Sequence, residues 1–335
     1  MKKKRVLASL LVAGIITSML GGTVMASETE EGHAGISQET VLNERWGKPT
    51  FVAGAGLDDE QVNQTLSIFD YHSLDDVLYL RATGEDLVKY LGYGSGDDAS
   101  MISSVMVNRE NEGKGIEVEI LTPDNITSIS EDQYKNPLVT AGITDATVKV
   151  AAIRKVTGES ALSGVYKAFE ENGEAVDPER AQLAQEELEV TTDVSVNLIE
   201  GVEDEDEIES LKAQLNQALT DIKLELAELK KQQDKQITKE DVEEAVNIAL
   251  KKNELDSKLS EEDVAKLVSL AEKYDTVDGV LSQETLEQLK ELSKGFQEKL
   301  SGLGEKASEL AEEGANWFSR AWTSIKNFFS GLINK

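Results

Sequence analysis

The sequence predicts an α+β protein: an N-terminal α/β sandwich built on a mixed sheet, followed by an all-α helical C-terminal domain. Three observations predict it. Between about residues 46 and 172, short apolar runs with strand character alternate with amphipathic stretches of helical period. From Asp177 onward the apolar period is helical almost throughout. The chain has no cysteine, so both parts must be held by packing rather than by disulfides or thiolate-bound metal.

The strands and helices of the first domain follow in order. Thr50 to Ala55 reads as a first strand, and Asp58-Asp59 then starts a helix in which Val62, Leu66 and Phe69 share one face. Val77 to Leu80 is apolar at successive positions, the pattern of a central strand covered on both faces. Met101 to Val107 and Gly115 to Leu121 flank a polar turn. In the second of these, Ile116, Val118 and Ile120 alternate with Glu117 and Glu119, so the pair reads as a β-hairpin with one wet face. Ser130 caps a helix ending near Gly142, Val148 to Val156 supplies another strand, and Leu162, Val165, Tyr166 and Phe169 line a last helix. With a helix between the second and third strands, the predicted order is β-α-β-α-β-β-α-β-α.

In the second domain, residues 177–300, Asp177-Pro178 pairs an acidic N-cap with proline at the first helical position. Thr191 to Leu198 is rich in Val and Thr and has the weakest helical signature of this half. The acidic run Glu203 to Glu207 leads into a helix where Ile208, Leu215, Ile222 and Leu229 recur every seven residues. The companion positions Leu211, Ala218 and Glu225 deteriorate, while Leu219 and Leu226 widen the stripe, which favours packing on its own domain over a dimeric coiled coil. Three segments then begin 22 residues apart, at Ile237, Leu259 and Leu281. Each places a hydroxyl N-cap (Thr238, Ser260, Ser282) after one apolar residue and ahead of another (Val242, Val264, Leu286), the staple that sets how a chain enters a helix.

The segment Asn136 to Glu170, with TAG-x-x-DA-x-V-x-V at Thr140 to Val150 and AL-x-G-x-x-KA-x-E at Ala161 to Glu170, resembles the YpuA-like secreted proteins of Gram-positive bacteria, a domain of unknown function. The resemblance extends over most of the chain beyond residue 26. It implies export and a common fold, and it carries no activity, substrate or catalytic residue to transfer.

The first 26 residues have the layout of a secretory signal peptide. Lys2, Lys3, Lys4 and Arg5 precede an uncharged apolar run from Val6 to Val24, and small residues at Val24 and Ala26 precede acidic Ser27 to Glu31. Cleavage near Ala26 is expected, placing the protein outside the cell or on the outer face of the envelope. Residues 27–45 read as a disordered acidic leader. With the four basic residues of the signal gone, 30 Lys and Arg face 64 Asp and Glu, a formal charge of −34 against −30 for the whole chain. That balance excludes nucleic acid as a partner and leaves weak divalent-cation binding open.

No cofactor fingerprint is present. Gly54-Ala55-Gly56 lacks the third glycine of a dinucleotide site, and Gly92 to Asp98 lacks the lysine of a phosphate cradle. In Asp275 to Gly279, valine holds the third calcium-loop position and glycine the fifth. The strongest enzyme candidate is Asp70, His72, Asp75 and Asp76, one imidazole among three carboxylates, which would support a metal-dependent extracellular hydrolase. The other histidine, His33, lies in the acidic leader, and an ordinary solvated turn explains the same residues. The reading therefore leans toward a non-enzymatic protein.

The most informative functional stretch is the C-terminal segment, residues 301–335. Phe318, Trp322, Ile325, Phe329 and Leu332 form one helical stripe flanked by Trp317 and Phe328, and Arg320, Lys326 and Lys335 make it locally basic. Four buried aromatics represent on the order of 15 to 25 kcal/mol of gross burial, so the stripe must be covered. It packs on its own domain, enters a membrane interface, or binds an envelope protein.

Overall fold

The computed structural model describes residues 46–92, 94–232 and 237–303. The elements of the first half are β1 (Thr50–Gly54), α1 (Asp59–Ile68), β2 (Leu78–Ala82), α2 (Gly84–Leu91), β3 (Ser104–Arg109), β4 (Ile116–Ile120), α3 (Glu131–Thr140), β5 (Ala146–Ala151) and α4 (Ala161–Glu171). Their order is the one the apolar periods predict. The strands form one mixed sheet in the order β2-β1-β3-β5-β4, parallel at β1/β2 and β4/β5 and antiparallel at β1/β3 and β3/β5.

Two strand assignments are corrected. β3 and β4 are not a hairpin: β5 runs between them, Val148 facing Val107 on one side and Val118 on the other. The cause lies in the connection. Asp145, at the entrance to β5, accepts hydrogen bonds through Oδ1 from the backbone N–H of Gly113 (3.0 Å) and Gly115 (2.9 Å), so the turn after β3 is splayed around it. Alternation in β4 reports a wet face, not the identity of its neighbour. β2 is the second correction. It is an edge strand, and Leu78 is exposed at its start.

The two faces of the sheet are covered differently. Phe51, Ala53 and Met106 pack with Val62, Leu66 and Phe69 of the α1 side. Val52, Val105, Val107, Val118, Val148 and Val150 face α3 and α4 through Leu138, Leu162, Val165 and Tyr166. Gly164 lets α4 approach: a Cβ there would lie 3.0 Å from a methyl of Val105.

The second half supplies α5 (Pro178–Leu198), α6 (Glu205–Gln232), α7 (Lys239–Lys252), α8 (Glu261–Thr276) and α9 (Gln283–Gly302). Asp177 caps α5 by accepting from the N–H of Glu179 and Arg180, and the Val/Thr-rich stretch stays helical to Leu198. Thr238, Ser260 and Ser282 cap α7, α8 and α9, each hydroxyl accepting from the N–H three residues on. Ala181, Ala184, Leu188, Ala227, Leu286, Leu289, Leu292 and Phe296 join the core that covers the sheet, while Leu183, Leu215, Ile222, Val246, Leu270 and Tyr274 form a second core among the helices. α6 contacts α3, α5, α7, α8 and α9. Its stripe Leu211, Leu215, Ala218, Leu219, Ile222 and Leu226 is buried within the chain, and so are Gln214, Asn216, Gln217, Thr220, Asp221 and Lys223.

Candidate functional site

The sequence-predicted metal cluster occupies the connection between α1 and β2. Asp70, His72, Asp75 and Asp76 are all exposed there. Asp75 and Asp76 close a short helical turn capped by Ser73, whose hydroxyl accepts from the Asp75 N–H at 3.2 Å, and Lys48 donates to the Asp75 carbonyl. Among the described residues, no group of three or more His, Cys, Asp or Glu side chains converges as a metal site would require.

The other motifs acquire local duties. A Cβ on Gly54 would lie 2.2 Å from the carbonyl oxygen of Met101, so that glycine admits a neighbouring backbone. Asp98 accepts from the Gly84 N–H at 2.8 Å and Asp97 from the Ala99 N–H at 2.9 Å, making both carboxylates turn caps. Asp275 pairs with Lys230 at 2.9 Å. The tail residues Trp317, Phe318, Trp322, Ile325, Phe328, Phe329 and Leu332, and the stretch 1–26 with the layout of a signal peptide, lie outside the described residues.

A cleft of about 990 Å³ opens where the end of β3 and the entrance to β5 meet α6, α7 and α9. On its sheet side, Asp145 adopts a left-handed backbone (φ 43°), a conformation that short polar side chains tolerate through local hydrogen bonds. Gln288 of α9 reaches the same carboxylate at 3.5 Å. Arg109 braces this wall: Nη1 donates to the carbonyls of Thr144 and Asp145, Nε donates to Glu174 at 3.0 Å, and the guanidinium lies 5.6 Å from the Phe169 ring centroid. Glu174 also accepts from the indole N–H of Trp46 at 2.8 Å.

On the helical side Asp221 gathers three donors, Lys252 at 2.7 Å, Asn253 at 2.8 Å and Gln217 at 3.0 Å. Gln217 Nε2 also reaches Ser293 Oγ on α9 at 2.9 Å, which ties the two helices across the cleft floor. One turn beyond Asp221, the Glu225 carboxyl is pushed up to about 7, first by burial and then by the charge of Asp221, with Lys252 pulling the other way. Two lining pairs thus hold one another, Asp221 with Lys252 and Glu291 with Lys294 at 2.6 Å. Such a surface suits a polar ligand that exchanges hydrogen bonds with it more than an isolated charge.

Sequence reasoning missed this cleft. Asp145 lies inside the DA pair of the quoted motif, the one signal that pointed there. Asp221 and Lys252 look like ordinary helix-surface charges, because the partners that bury them come from other helices.

A family model described as "Protein of unknown function (DUF1002)" matches residues 53–292, from within β1 to within α9. The chain belongs to that family. It is also 32% identical over 145 residues to the uncharacterized protein YpuA of Bacillus subtilis (strain 168), a match covering 42% of this chain and 48% of the relative. The matched stretch thus spans about half the length of that curated protein. No solved structure matches. Membership in DUF1002 bears out the resemblance seen in the TAG-x-x-DA and AL-x-G-x-x-KA segments, and it brings no chemistry with it.

Proposed function

We propose that this chain is an exported, non-enzymatic protein of the cell envelope that docks through its C-terminal aromatic helix. The observation that carries the reading is the stripe Phe318, Trp322, Ile325, Phe329 and Leu332, gathered in a chain that is only 5% aromatic. The described fold supports it from the other side. Its exposed large apolar side chains are Leu78, Val88 and Val196, on three different elements, which reads as scattered exposure rather than a groove awaiting that stripe. The basic-apolar-small order of residues 1–26 supports export.

The test is flotation of the chain from Ser27 to Lys335 with phospholipid vesicles, in a Trp46→Phe background so that emission reports Trp317 and Trp322. Flotation with a blue shift, both lost in Ile325→Asp/Phe329→Asp, is the result expected for membrane docking. Wet emission that turns blue only on an envelope-protein fraction assigns the tail to a protein partner. Emission already blue in the isolated chain and unmoved by vesicles, with the double variant less stable, makes the tail part of the core and sinks the docking reading.

A further inference from the structure

Between α3, α5, α6 and α8 lies a polar centre sealed from solvent. Lys223 on α6, Glu187 on α5 and Asn136 on α3 are each 0% exposed. Lys223 Nζ lies 2.5 Å from Glu187 Oε1 and 3.3 Å from Asn136 Oδ1. The other Glu187 oxygen accepts from Thr140 Oγ1 at 2.5 Å. The Asn136 amide nitrogen donates to the Asn216 carbonyl at 2.9 Å, and Thr220 Oγ1 stands 3.0 Å from Asn136 Oδ1. Fully buried Tyr274 closes the centre, its ring centroid 5.0 Å from Nζ.

A simple ion pair is a poor use of this site. Two full charges removed from water cost several kcal/mol each unless attraction and hydrogen bonds repay them, and here the cation also faces a neutral carboxamide. The same three groups are the components of an amide-forming reaction: an amine, a carboxylate that can take its proton, and a carbonyl carbon with its oxygen already polarised. Burial pushes the Lys223 amine down, against the pull of Glu187, and so favours the nucleophilic form.

We propose that Lys223 and Asn136 join in an intramolecular isopeptide bond promoted by Glu187. Glu187 takes a proton from the ammonium, and the freed Nζ attacks Cγ of Asn136 while the hydrogen-bonded Oδ1 carries the developing charge. As the Cγ–Nδ2 bond breaks, a second proton from Nζ passes to Nδ2 through Glu187, and ammonia leaves past the Asn216 carbonyl. The products are one secondary amide, one ammonia and a protonated Glu187, with no change of oxidation state. Both buried charges disappear. The bond ties α3 to α6 across 87 residues in a chain without cysteine. It rests on none of the docking argument.

The test is mass spectrometry of the purified, folded full chain, with the N-terminal peptide identified in the same digest to set the expected mass. The bonded protein is lighter than its sequence by one ammonia. Trypsin then releases a branched peptide joining residues 136–149 to residues 213–230, because acylated Lys223 is no longer cleaved. Glu187→Gln abolishes the branch and restores the full mass. If Glu187→Gln does not fold, the wild-type digest decides alone. A folded wild-type chain of full mass, or one that has lost ammonia without yielding the branched peptide, overturns the proposal.

Discussion

β3 and α6 occupy equivalent places, each at the centre of its layer, yet they are buried with opposite chemistry. β3 brings Val105, Met106 and Val107, whose burial needs nothing but shape-matched neighbours. α6 brings Leu211, Leu215, Ile222 and Leu226 on one side, and Asn216, Gln217, Thr220, Asp221 and Lys223 around the rest. The strand is held by a term that does not depend on pH. The helix is held by pairs that must all be present together, and they decide which neighbour goes where. The sheet therefore stabilises the fold, and α6 selects its arrangement.

The largest effect expected from breaking that contrast is at Lys223. Lys223→Met leaves the Glu187 carboxyl buried with neither the Lys223 amine nor the amide proposed to form from it, and should cost about 3 to 5 kcal/mol, read as a lowered urea midpoint. Replacing Glu187 by Leu in the same chain should recover a large part of it, since the uncompensated carboxyl is then gone. A double variant no more stable than Lys223→Met would show that shape, not charge, governs α6. Met106→Ala supplies the counterpart in the sheet. It should cost about 2 to 5 kcal/mol through the lost methylenes and the cavity, equally at pH 5 and pH 8.

A third substitution sharpens the contrast by pH. Glu225 on α6 titrates near 7 in the folded chain against an ordinary 4.5, so the native state holds its proton more tightly than the unfolded chain does. The stability this contributes is present at low pH and is lost as pH rises from about 4.5 through about 7. Glu225→Gln should remove that slope and leave the protein about 1 to 3 kcal/mol more stable than wild type at pH 8, with little difference at pH 4. A wild-type curve whose component between pH 5 and 7 survives the substitution would place the titrating group elsewhere.

The same contrast explains what could be read from the sequence. Helix starts are local: Thr238, Ser260 and Ser282 carry their own hydrogen-bond logic within three residues, and all three cap helices. The number and order of strands were legible too, because each apolar run is bounded by turn residues. Pairing was not. The alternation of Ile116, Val118 and Ile120 is the same whether the neighbour is β3 or β5, and the deciding contact is Asp145 with Gly113 and Gly115, about 30 residues earlier. The cleft and the Lys223 centre were illegible for a stronger version of that reason. Glu187, Asn136 and Lys223 lie 36 to 87 residues apart, and each alone reads as a solvated surface residue.

The smallest effects are expected at the caps, where the three similar starts are not equivalent. The Thr238 hydroxyl and the Asp241 carboxylate bond to one another across the first turn of α7, in an exposed setting. At α9 the Ser282 hydroxyl meets Thr285, whose Oγ1 also donates to the Gly279 carbonyl at 2.8 Å and takes a hydrogen bond from Arg180 Nη2 at 3.2 Å. Arg180 in turn donates to the carbonyls of Thr140 (2.7 Å) and Val139 (3.1 Å), at the end of α3. Loss of the Ser282 cap therefore loosens a joint between α9, α5 and the sheet layer, whereas loss of the Thr238 cap frays one helix end. Thr238→Ala should cost about 0.5 to 1 kcal/mol and Ser282→Ala about 1 to 2 kcal/mol in thermal or urea unfolding. Amide exchange separates the mechanisms: Ser282→Ala should speed exchange in the last turn of α3 as well as the first turn of α9. Exchange confined to α9 would show that Arg180 holds the joint without the cap.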